Sequence, residues 1–152
     1  MKHFLLVLST ISVMVISSCS STGESTSNKS AFSEYELVNE KQIKWADVLS
    51  QQEKEYVVFF YSETCSHCHE MMDEIINFAT DNIEPTYFLD VGANTVVIKT
   101  ADEIEIGVDD IKDFAIQGTP TLVEVVEGRV AAHVGGVDPC LTFMNEKRMT
   151  KD

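Results

Sequence analysis

The sequence predicts an α/β domain, a central mixed sheet flanked by helices, and three stretches carry that reading. Val57-Val58-Phe59-Phe60-Tyr61 is a β-branched and aromatic run, which suits a strand buried on both faces. From Cys68 onward the apolar residues Met71, Met72, Ile75, Ile76 and Ala79 recur at helical spacing, so a strand hands over to a helix. Later, 121–126 and 129–134 read as two strands joined at Glu127-Gly128, a hairpin turn.

The remaining elements follow in order. Residues 32–39 supply a short strand or approach segment. Trp45, Val48 and Leu49 share one face of a short amphipathic helix over 44–52, and Glu53-Lys54-Glu55 breaks it before the central strand. The helix after the cysteines runs to Thr80, where Asp81-Asn82 punctuates it. Residues 86–91 form a second strand. Residues 92–107 form an inserted segment in which Val96-Val97-Ile98 is strand-like. Residues 108–116 read as a helix with Ile111, Phe114 and Ala115 inward, and Gln117-Gly118-Thr119-Pro120 as a turn. Gly135-Gly136 ends the last strand. Asp138 then caps a short final helix with Pro139 at its first position, and that helix gives way to a polar tail at Lys147.

Length and charge narrow the function. The 152 residues suffice for one domain with one core. With 25 acidic and 11 basic residues the formal charge is −14, which argues against nucleic-acid binding and against electrostatic adhesion to anionic lipid. At the N-terminus Lys2 precedes an apolar stretch over 4–16, too short to span a membrane comfortably, and this reads as an export signal. Ile16-Ser17-Ser18-Cys19 follows it and resembles the bacterial lipobox. That resemblance implies cleavage before Cys19, a diacylglycerol anchor on Cys19, and a place on the extracytoplasmic face of the bacterial cell membrane. Disulfides persist there, so a free cysteine pair means redox traffic. The expected organisation is a signal over 1–18, the lipidated Cys19 with a flexible tether over 19–34, and a domain over 35–152. The Ser, Thr, Gly and Asn of 20–30 cannot bury apolar surface, and eleven such residues reach about 15–20 Å.

The chemistry sits in Cys65-Ser66-His67-Cys68, where the strand becomes the helix. Backbone N–H groups at a helix start lack intrahelical partners, and the helix dipole is positive there; both favour a thiolate on Cys65. A second cysteine one turn later can resolve a mixed disulfide. Two other readings use the same residues. Cys65-Ser66-His67-Cys68-His69 spells the c-type haem motif, with His69 as axial ligand. Cys65, Cys68, His67 and His69 are also soft-metal ligands, although adjacent turn residues rarely close a four-ligand site. The redox reading needs neither cofactor nor metal.

The order strand, Cys-x-x-Cys helix, strand, helix, Thr-Pro turn, hairpin, helix resembles the thioredoxin family over about residues 40–147. Phe59-Phe60-Tyr61 before the cysteine pair, and Gly118-Thr119-Pro120-Thr121 before a hairpin closed by Gly135-Gly136, are the matching motifs. The resemblance implies a thioredoxin-like fold and a thiol–disulfide oxidoreductase with Cys65 and Cys68 catalytic. It also implies a cis Pro120 facing the cysteines, and Thr119 offering its backbone to an extended substrate. The chain departs from the family pattern in three places. Thr64 replaces a Trp, Asp73 replaces a helix proline, and Phe59 stands where a buried carboxylate accepts the proton of the resolving cysteine, which leaves Cys68 without an obvious base. The dipeptide Ser66-His67 tunes the motif, and a His in that second position is similar to the periplasmic oxidase family DsbA.

A charged His67 would lower the Cys65 pKa. A fall from about 8.5 to about 5 raises the thiolate fraction at pH 7 about thirtyfold, while nucleophilicity falls by a similar factor. As a leaving group Cys65 gains much more, which tilts the pair toward oxidase or isomerase use on exported proteins, with an unidentified membrane redox partner. Glu63, Glu70, Asp73 and Glu74 oppose the shift. A tethered reductase, of the cytochrome-maturation or methionine-sulfoxide-repair type, is the alternative. Cys140 reads as a buried core thiol and His133 as a surface or edge residue. Trp45, Met71, Met72 and Phe78 read as core.

Overall fold

The computed structural model describes residues 31–151. The expected signal over 1–18, Cys19 and the tether through residue 30 lie outside the described residues.

Strand β1 (Glu55–Tyr61) is the centre of a four-stranded sheet in the order β2-β1-β3-β4. It runs parallel to β2 (Thr86–Asp90), with Phe59 opposite Phe88. On its other side it runs antiparallel to β3 (Thr121–Val126), with Phe59 opposite Leu122. Strand β4 (Arg129–Gly135) closes the hairpin. Both turn residues, Glu127 (φ 49°) and Gly128 (φ 77°), adopt the left-handed conformation that matches the twist of paired strands. A short fifth pairing flanks β2, where Ile43 N–H donates to Phe88 O at 2.9 Å and Phe88 N–H to Lys41 O at 3.0 Å.

The run Tyr56–Tyr61 is buried throughout, as a strand between two apolar layers requires. Val57, Phe59 and Tyr61 face one cluster and Tyr56, Val58 and Phe60 the other. Each buried Phe or Val contributes about 1.5–3 kcal/mol by leaving water. The first layer is helical. It holds Val38 of α1 (Glu36–Glu40), Cys68 of α2 (Ser66–Glu70), Met72, Ile75 and Phe78 of α3 (Met72–Thr80), and Cys140, Phe143 and Met144 of α4 (Val137–Lys151). The second layer is made of turns and loops carrying Trp45, Val48, Val96, Val108, Ile111, Phe114 and Ile116.

Five expectations need correction. Residues 32–40 are helical, a 3-10 turn at Phe32–Glu34 followed by α1. Phe32, in the first of these turns, is fully buried. The helix expected over 44–52 shrinks to a 3-10 turn at Trp45–Asp47, enough to put Trp45 against Phe60 and Phe114. The helix after the cysteines is jointed at Met71 (φ −106°, ψ 9°) rather than continuous. The last helix runs on to Lys151, and Asp138 lies in its first turn rather than at the cap.

The fifth correction concerns residues 108–116, which form a turn and an extended stretch instead of a helix. Asp110 accepts Lys112 N–H on its side chain at 2.9 Å and Asp113 N–H on its carbonyl at 3.0 Å, local bonds that compete with a helix. Val108 is held to the edge of β4 through Val130, and Phe114, Ala115 and Ile116 are buried in succession. The strand-like 96–98 stretch pairs once, through Ile98 opposite Ile116.

Candidate active site

β1 ends at Tyr61 and the chain turns through Ser62-Glu63-Thr64 into Cys65, the N-cap residue of α2. The turn is tightly held. Cys65 N–H donates to Ser62 O at 3.0 Å and Thr64 N–H to Ser62 Oγ at 3.3 Å. His69 Nε2 donates to Glu63 O at 2.8 Å, which fixes the proton of that ring on Nε2. The Glu63 carboxylate accepts Phe32 N–H at 3.0 Å and Ser33 N–H at 2.9 Å. Phe32 in turn stacks within 4.4 Å of Tyr61 and 5.6 Å of His69, between ring centroids.

Cys65 plays the part that Ser or Asp plays at most helix starts: its Sγ accepts Cys68 N–H at 3.3 Å. Thr119 is brought to it from the other side of the sheet, with its carbonyl O 3.5 Å from Cys65 Sγ. The Thr119–Pro120 peptide is cis and Pro120 is buried. The loop is fixed by Gly136 N–H donating to Pro120 O at 2.8 Å and Thr121 Oγ1 donating to Gly118 O at 2.9 Å. Cys65, Cys68, Thr119 and Pro120, 51 to 55 residues apart in the two halves of the chain, therefore meet at the C-terminal end of β1.

The two thiols differ in protonation. Partial burial opposes charge on Cys65, but hydrogen bonds from the Cys68 and Thr119 side chains and from the Cys68 and His67 backbone outweigh it and hold the thiol below its ordinary value. Burial, together with the neighbouring Cys65, pushes Cys68 up. Hydrogen bonds involving the Ser62 backbone and Thr119 act against this rise without cancelling it, and Phe59 is fully buried in the apolar layer behind. A partly exposed thiol whose surroundings favour the thiolate, beside a buried one whose surroundings oppose it, is chemically suited to an attacking and a resolving role.

His67 is turned away. Its ring is exposed and its Nδ1 lies 3.1 Å from Glu70 Oε2, so it reaches Cys65 through its backbone N–H and not through a ring charge. Ser66 is exposed on the first turn of α2. His69 is committed to Glu63 and covered by Phe32, an arrangement that does not offer an axial ligand to haem. Among the described residues no three His, Cys, Asp or Glu side chains are placed to hold a metal ion. His133 is half-buried on β4, with neither ring nitrogen hydrogen-bonded. Cys140 is fully buried, its Sγ 3.4 Å from Val134 O, and burial pushes its thiol up to about 12. The positioning roles of Glu63, Phe32 and His69 have no local signature, because Glu63 and Phe32 are 31 residues apart.

A family model described as thioredoxin matches residues 36–146. No curated protein sequence matches the chain. Among solved structures, a thioredoxin variant from Halobacterium salinarum is 17% identical with TM-score 0.51, covering 73% of this chain and 89% of its own. The thioredoxin of Malassezia sympodialis is 15% identical with TM-score 0.51, covering 73% and 90%. Mitochondrial thioredoxin 3 from Saccharomyces cerevisiae, in its oxidised form, is 15% identical with TM-score 0.51, covering 78% and 99%. At these identities the structural likeness speaks to the fold, and the fold is thioredoxin-like.

Proposed function

Since the chain belongs to the thioredoxin family, we propose that it works outside the cytoplasm, lipid-anchored through Cys19, on the thiols and disulfides of exported proteins. Thiol–disulfide oxidoreduction itself comes with the family and its paired cysteines. The finer reading gives Cys65 the attacking role and Cys68 the resolving role. The observation that carries it is the Cys65 Sγ, placed 3.3 Å from the Cys68 N–H and 3.5 Å from Thr119 O at the mouth of the cis Pro120 loop.

In the oxidising direction a substrate thiolate attacks Cys65 of the Cys65–Cys68 disulfide, and Cys68 leaves. Because burial raises the Cys68 thiol, it takes up a proton and does not return as a nucleophile at once. A second substrate thiolate then attacks the mixed disulfide and Cys65 leaves as a thiolate, the form its surroundings favour. The substrate gains one disulfide, and two electrons pass to the protein for an unidentified membrane partner to remove. Thr119 supplies backbone hydrogen bonds to the substrate strand. A stabilised Cys65 thiolate supports the oxidase or isomerase direction.

The His67–Glu70 pair favours a second reading, the tethered reductase, because it withholds from Cys65 the cation that would make the disulfide strongly oxidising. The reduction potential separates the two. A value near about −120 mV supports the oxidase, and one near about −270 mV supports the reductase. Full activity in a Cys65→Ser variant would sink both.

A further inference from the structure

A groove of about 430 Å³ opens beside the reactive pair, running from His67 and Glu70 on α2, past Thr119 and Pro120, to Val137 and Asp138 at the start of α4. Its lining combines the apolar Pro120, Val137 and Pro139 with two carboxylates, Glu70 and Asp138. Glu70 and Asp138 are both exposed and none of the lining residues is Lys or Arg; the lining's one basic ring, His67, can offset Glu70 alone, so the groove stays net negative whether or not that ring is charged. The nearby Glu74 is different, since Arg148 of α4 lies 3.4 Å from it and balances its charge. Asp138 makes no ion pair among the described residues. Two carboxylates in a groove that also takes in His67 and Thr119, the neighbours of the reactive sulfur, repel an acidic visitor and attract a basic one.

We infer that this groove selects substrate segments carrying Lys or Arg two residues from the reactive cysteine. The inference rests on the oxidoreductase reading above and adds the substrate class. An extended segment laid along Thr119 puts alternate side chains on one face, so the residues two positions to either side of its cysteine share the cysteine's face and reach Glu70 and Asp138 while its backbone meets Thr119. Such contacts are partly exposed, so the preference is a few-fold and is screened by salt.

The test uses the reduced protein and two matched peptides, each with one cysteine blocked by 2-mercaptoethanol as a mixed disulfide. One peptide carries Lys two residues to either side of the cysteine and the other carries Glu at the same positions. In the net reaction the protein dithiol becomes the Cys65–Cys68 disulfide, and the blocked peptide becomes a free peptide thiol plus 2-mercaptoethanol; two electrons move. At low salt the Lys peptide should react about three- to tenfold faster, with the ratio falling toward one near 1 M salt. The Glu70→Gln/Asp138→Asn variant should bring the ratio toward one at low salt. A Glu55→Gln/Glu127→Gln variant, which removes the same charge at the far end of the sheet, should keep it. A wild-type ratio of one, a ratio preserved in the groove variant, or an equal collapse in the far variant overturns the inference while leaving the oxidoreductase reading intact. No thiol release from either peptide or from the uncharged bis(2-hydroxyethyl) disulfide overturns the oxidoreductase reading, and the preference with it.

Discussion

The carboxylate of Glu63 accepts the backbone N–H of Phe32 at 3.0 Å and of Ser33 at 2.9 Å, tying the first packed residues of the domain to the turn that delivers Cys65. The chain that arrives from the N-terminal side is therefore fixed against the reactive end of β1. Phe32 fills the space between Tyr61 and His69, and His69 holds the Glu63 carbonyl from behind. Two charge-assisted bonds on a partly exposed carboxylate predict that Glu63→Ala costs about 1–2 kcal/mol of stability, measured by urea denaturation. Amide exchange should quicken at Phe32 and Ser33 before it does at Val58. Unchanged exchange at those two amides would show that the bonds do not hold the segment.

The unequal thiols predict a distinct alkylation profile. Iodoacetamide attacks the thiolate, so the rate at Cys65 should rise with pH and level off below the ordinary thiol value of about 8.5. Cys68 and Cys140, both buried and both raised, should stay unlabelled in the folded protein across the same range. Peptide mass mapping assigns each site. Labelling of Cys68 ahead of Cys65 would reverse their roles.

Much of this site was legible because its two motifs are local. A buried apolar strand running into a Cys-x-x-Cys turn needs only the period of the residues around it, and so does a hairpin with Glu127-Gly128 at its tip. The cis form of Pro120 was legible only through the family resemblance, since Gly118-Thr119-Pro120-Thr121 alone is an ordinary turn sequence. What periodicity could not supply was the second layer of the sheet. Ile111, Phe114 and Ala115 have a helical spacing, but the Asp110 turn and the pairing of Val108 with Val130 already satisfy the backbone in another way. Spacing shows which residues go inside, not which backbone carries them there. The ring of His67 was similarly out of reach. Its place in the motif suggested a cation beside Cys65, whereas an acid three residues further on, one helical turn away, captures it.

Cys140 predicts a pH signature of stability. Its thiol is raised to about 12 in the folded protein by burial, whereas an unfolded thiol titrates near about 8.5. The folded state therefore favours the protonated form, and its contribution is complete below the unfolded value. It is lost as pH rises from about 9 toward 12, at up to about 1.4 kcal/mol per pH unit. Tyrosines and lysines titrate in the same window, so the readout is the difference between the protein and its Cys140→Ala variant. The variant should be less stable at pH 7, by about 1–2 kcal/mol for the lost sulfur. The gap should close, or change sign, by pH 10–11. A constant gap across that range would mean that Cys140 reaches water in the folded state.

Lys147 of α4 reaches into the sheet from the helical side. It pairs with Glu124 on β3 and lies 3.6 Å from Glu84, a carboxylate 4% exposed that Lys151 also approaches at 3.7 Å. Removing the cation leaves Glu124 without its partner and Glu84 with Lys151 alone, whereas removing Glu124 as well spares the first of these costs and leaves the second. Lys147→Met should therefore cost about 2–4 kcal/mol, less than a fully buried pair because the ammonium keeps some access to water. Adding Glu124→Leu should restore part of that loss, the Glu84 share remaining, and give a coupling of about 1–2 kcal/mol in the double-mutant cycle by urea denaturation. The pair lies along β3 from Thr119 toward the hairpin, several residues from the sulfurs, so the alkylation profile of Cys65 should not move in either variant. Additive single effects, with no coupling, would show that Glu124 finds water when Lys147 is gone and that the bridge does not fasten α4 to the sheet.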